Sequence, residues 1–99
     1  MAEASMNIRR LLLDVDKAME RPSIIEIAEA ISASTGVQAC NITVSDIDVE
    51  TVGMNVTVEG ENINYDALVS AIEHVGAVVH SIDEIVIGER VIERVQRAR

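Results

Sequence analysis

The chain has 99 residues, enough for one domain, and a domain this small buries only about 60–65% of its unfolded surface, which makes association between copies attractive. A net charge of −9 and a single aromatic residue, Tyr65, argue against nucleic acid, because cations for phosphates and rings for bases are both scarce. An apolar fraction of 48% excludes a disordered chain, and 13 Ile with 14 Val against 4 Leu favour pleated sheet.

Residues 1–7 are small and polar and read as a frayed N-terminus, with no basic region leading into an apolar run of the secretory kind. No stretch approaches 18 uninterrupted apolar residues, so no membrane span is expected and a cytoplasmic setting is. A first strand begins at Ile8, where Leu11, Leu13 and Val15 alternate with Leu12, Asp14 and Asp16. After a polar connection, Ser23 and Glu26 have the spacing of a capping box, and Ile24, Ile27, Ala28 and Ile31 form a helical stripe behind it. Gly36 is the expected stop.

Cys40, Ile42 and Val44 then alternate with Asn41, Thr43 and Ser45 as a second strand. Residues 48–51 are short enough for a hairpin into the clearest alternation of the chain, Val52, Met54, Val56 and Val58. Asn64 is a good N-cap, with Ile63 and Leu68 spaced as a hydrophobic staple. Tyr65, Leu68, Val69, Ile72 and Val75 form the second helical stripe, closed by Gly76. A fourth strand runs from Val78 to Ile87, and Gly88 bulges or turns it. The tail then reads as extended at Val91, Glu93 and Val95, with a helix as the alternative.

The order β-α-β-β-α-β is echoed internally: Gly36 to Ile42 lies over Gly76 to Ile82, each closing a helix and opening a strand. This predicts an α+β, ferredoxin-like sandwich with a four-stranded antiparallel sheet in the order 4-1-3-2 and two helices on one face. Residues 8–88 form that domain, and 89–99 a basic C-terminal strand or tail. Residues 90–99 sum to +3, leaving −12 on the body. Such an end can dock on a neighbouring copy or stay solvated. The two free edges of the sheet invite edge-to-edge, head-to-tail pairing into a closed ring or a filament.

Strand phase places Leu12, Asp14 and Asp16 on the open face with Asn41, Thr43, Asn55, Thr57 and Glu59. The internal echo adds Ser81 and Asp83 and turns Val78, His80 and Ile82 inward. Asp14, Asp16, Glu59 and Asp83 are therefore expected to converge at one acidic rim, with Asn41, Ser81 and His80 supporting them. An oxygen-only set suits Ca²⁺ or Mg²⁺. The simpler reading is a solvated acidic face. The lone Cys40 cannot form an intrachain disulfide and reads as a small buried hydrophobe. His80 lies on the opposite edge strand, roughly 14 Å away at the usual strand spacing. It reads as structural.

The segments Leu-Leu-Leu-Asp14-Val, Asn41-Ile-Thr-Val, Val-Glu59-Gly60 and Val-Val-His80-Ser-Ile-Asp83-Glu84 resemble the archaeal proteins grouped as domain of unknown function 211, in the same order over residues 7–95. The resemblance implies a ferredoxin-like subunit, a homo-oligomeric ring and Ca²⁺ binding, with no established activity. The chain departs from the family pattern at Lys17-Ala-Met-Glu-Arg-Pro22, where the family carries a histidine. The leading expectation is a non-enzymatic homo-oligomeric module that binds a divalent cation or small ligand. The alternatives are a regulatory or structural partner-binding protein, and a small enzyme with an inter-subunit site using His80.

Overall fold

The structure, a computed structural model, describes residues 6–97; the expectation for the N-terminus falls largely outside that range. The elements are β1 (Ile8–Ala18), α1 (Ile24–Ser32), β2 (Val37–Ile47), β3 (Thr51–Gly60), α2 (Tyr65–His74) and β4 (Val78–Ile87). The strands form one antiparallel sheet in the order β2-β3-β1-β4, the ferredoxin-like arrangement read in the other direction.

Both helices form where the local signals place them. At α1 the Ser23 hydroxyl accepts from the Glu26 N–H at 3.0 Å, and the Glu26 carboxylate accepts from the Ser23 N–H at 2.8 Å. At α2 the Asn64 side chain accepts from the Ala67 N–H at 3.0 Å, and the staple residues Ile63 and Leu68 are both buried. Gly76 follows the cap residue Val75 with φ +105°, as a helix stop requires. Gly36, also left-handed at φ +89°, stands three residues beyond the α1 cap Ala33 instead. There its backbone crosses Gly60 so closely that a Cβ on Gly60 would overlap the Gly36 carbonyl. That crossing is why two glycines meet where β3 leaves the sheet.

The core lies between the sheet and the helices. Leu11, Leu13 and Val15 from β1 and Met54, Val56 and Val58 from β3 meet Ile27 and Ile31 of α1 and Leu68 and Ile72 of α2. The two central strands alternate cleanly because one face is dry and the other wet. The edge strands do not: β2 and β4 keep large apolar side chains in solvent.

β4 departs from the expected phase. Its pairing with β1 shifts between Leu12 and Leu13, leaving Asp83 unpaired, and again between Asp14 and Val15, leaving His80 unpaired. Each bulge inserts one residue and resets the alternation. Val79 therefore faces the core opposite Val15, and Val78 is exposed. His80, expected to point inward, has a side chain 67% exposed. Beyond Gly88 the chain runs without helix or strand to residue 97.

Candidate functional site: the open sheet face

Register fixes what meets on the open face. Asp14 lies between Asn55 of β3 and Ser81 of β4, and Thr43 of β2 pairs with Asn55. One step along, Gly53 lies between Asp16 and Asp46. A Cβ on Gly53 would come within 3.5 Å of both the Asp16 carboxylate and the Ser45 hydroxyl, so glycine opens a notch between them. The His80 Nδ1 is 3.9 Å from the Asp16 Oδ2, too far for a hydrogen bond but close enough for attraction when the imidazole is charged. Asp83 accepts from the Ser81 hydroxyl at 2.9 Å.

Glu59 does not join this group. β1 and β3 are antiparallel, so the end of β3 meets the beginning of β1, and Glu59 pairs with Arg10. Asp14 lies four residues along the strand from Arg10, roughly 13 Å away. The single acidic rim expected from the sequence is thus two separate ends of the face. Asn41 is displaced as well, two strands from β1, where it accepts from the Thr43 hydroxyl at 2.7 Å. Among the described residues, no three His, Cys, Asp or Glu side chains are placed to hold one metal ion.

The other end of the face is organised around Arg10. Its Nε donates to the Glu59 carboxylate at 2.9 Å, and one terminal nitrogen approaches Glu84 at 3.5 Å. Both terminal nitrogens donate to the two oxygens of Glu93 at 3.0 Å, a bidentate fork that fits guanidinium to carboxylate. The Arg10 side chain is 17% exposed and Glu93 69%. The Glu93 hydrogen bonds, then those of Glu59, hold Arg10 still more firmly protonated, and Arg10 lowers the Glu93 carboxyl below its ordinary range. Cys40 is half-buried against the core, and desolvation raises its thiol.

Asp46, Arg10, Glu84 and Glu93 are not among the site residues expected from the sequence. Asp46 pairs with Gly53 only through a register shift near Ser45, a signal that alternation alone does not carry. Arg10, in contrast, is the next open-face position before Leu12. Extending the β1 phase by two residues finds it.

The family model for DUF211, described as uncharacterised ArCR, matches residues 9–99. An uncharacterised protein of Methanocaldococcus jannaschii is 42% identical over 89 residues, covering 90% of this chain and 91% of the relative. The family match takes in both helices, every strand except the first residue of β1, and the residues around Arg10 and Asp16. The chain is a member of the DUF211 family.

Proposed function

We propose that the chain is a non-enzymatic, self-assembling module whose copies join β4 of one to β2 of the next in a closed ring. The observation that carries this reading is the state of the two free edges. On β4, Ile82, Ile85 and Ile87 pair with the core residues Leu13, Leu11 and Ile8 and so share the helix-side face, yet each is 45–48% exposed. On β2, Val44 and Ile47 pair with Met54 and Val52 on the same side and are 40% and 66% exposed. A neighbour in the same orientation would bring these two apolar rows together beneath a continuous antiparallel ladder. Native mass spectrometry tests this. The expected result is a defined multiple of 10.7 kDa that collapses to single chains on Val44→Lys or Ile85→Lys. A wild-type chain that stays single across the micromolar range would overturn it.

As a second property we propose that the Asp16 notch attracts Ca²⁺ or Mg²⁺ through Asp16 and Asp46 on either side of Gly53, a pair that does not complete a site within one chain. Oxygen ligands suit hard cations, and a neighbouring copy or water would complete the coordination. Binding to the folded state raises its melting temperature by linkage. Melting curves with chelator, with Ca²⁺ and with Mg²⁺ read this directly, and three superimposed curves would remove the cation from the reading.

A further inference from the structure

Residues 89–97 are not folded onto the body as the rest of the chain is. Gly88 is clamped: its carbonyl accepts from the Arg9 side chain at 2.8 Å and from the Asn7 side chain at 2.9 Å, and its N–H donates to the Met6 and Asn7 carbonyls. Beyond it, residues 89–97 make no backbone hydrogen bond among the described residues. Their tie to the body is the fork between Glu93 and Arg10. Ile92 and Val95 are 65% and 82% exposed. A segment that leaves its donors, acceptors and apolar side chains in water is unfinished structure.

Reach is the second consideration. Glu93 lies five residues beyond Gly88, and fully extended chain of that length spans roughly 17 Å. Arg10 of the same chain is one strand away from β4, roughly 5 Å, so the segment is slack when it docks on its own body. With β4 paired to β2 of a neighbour, the neighbour's Arg10 is three strands away, roughly 14 Å. A nearly straight segment covers that span.

Charge is the third. Glu93 comes flanked by Arg90, Arg94 and Arg97, and the face that receives it carries Glu59 and Glu84 around Arg10. A free anion would meet those carboxylates, whereas this segment brings its own cations. Gly88, at φ +115° with open space around the position of a Cβ, is the fixed point from which the segment departs.

We propose that residues 89–97 are an arm exchanged between copies, each Glu93 seating on Arg10 of the next chain across the β4–β2 junction. The fork made within a chain is formed instead between chains, as in domain swapping. It rests on the edge-paired reading above and deepens it: the arm closes over each junction that the edges form.

The test uses mixed assemblies of the full chain. One population carries Cys40→Ala and Gln96→Cys with a nitroxide on the introduced thiol, and the other carries isotope-labelled methyl groups and no nitroxide. After dissociation and reassembly, the Leu12 methyl signals of the nitroxide-free chains report arms arriving from their neighbours. The expected result is loss of those signals, restored when the nitroxide chains also carry Glu93→Lys. Leu12 signals of the nitroxide-free chains that stay at full intensity, or a loss that Glu93→Lys leaves unchanged, overturn the exchange. The mass of the same sample separates the two readings: an intact assembly without cross-chain loss refutes the arm alone, and single chains refute the edge pairing with it.

Discussion

At Lys17 the β1 alternation carries a cation onto the helix side of the sheet. Lys17 is 8% exposed, and its ammonium donates to the Ala18 and Met19 carbonyls at 3.1 Å each. The stem packs where a hydrophobe would, and the head returns to the backbone just beyond the strand. Lys17→Met keeps the stem and removes the donors. It should cost about 2 kcal/mol, read from the urea midpoint. Cys40 offers a chemical check of the edge: its thiol is raised by desolvation, so alkylation at neutral pH should be slower than for a free thiol and recover in denaturant. Glu93 gives a pH signature. Its carboxyl is lowered by Arg10, so arm docking is fully present above the ordinary carboxylate range and is lost as pH falls through the lowered value. Amide shifts of residues 90–97 should follow that titration in the wild-type chain and cease to follow it in Arg10→Gln.

Among the elements, the helices and central strands were legible and the edges were not. Ser23, Glu26, Asn64 and Ile63 act through neighbours three to five residues away, so the sequence carries their geometry directly. Ser23→Ala should therefore destabilise the fold by about 1 kcal/mol in a thermal or urea melt, because the Glu26 N–H then has no side-chain acceptor. β1 and β3 are dry on one side, which fixes their phase. β4 is half-exposed on both sides, so nothing in its composition marks where residues 80 and 83 slip out of register. The misplacement of Glu59 had a different origin: strand polarity, a property of the topology, sends it to the Arg10 end. Asp14 and Asp16 lie on the open face by the β1 alternation, and Ser81 joins them because it pairs with Asp14 between the two bulged residues of β4.

For the whole molecule, the plate is 19 Å thick, one helix layer on one sheet, with apolar rows along both free edges and a cationic arm leaving beside one of them. Gly60 ties the plate together where β3 crosses the α1–β2 connection, and Gly60→Ala must push that crossing apart. The expected cost is about 1–3 kcal/mol, with assembly weakened in parallel because β2 carries one of the edges. Circular dichroism melts and native mass, measured on the same variant, separate the two effects.

The number of strands has its own consequence. Four is even, so β2 and β4 run in opposite directions, and copies stacked side by side without inversion keep the up-down rhythm of the sheet across every seam. With an odd count the outer strands would be parallel to each other, and uninverted neighbours would have to meet through a parallel seam. Parity thus gives this subunit a front and a back, and the edge pairing proposed above would carry one antiparallel sheet across a seam without turning either copy over.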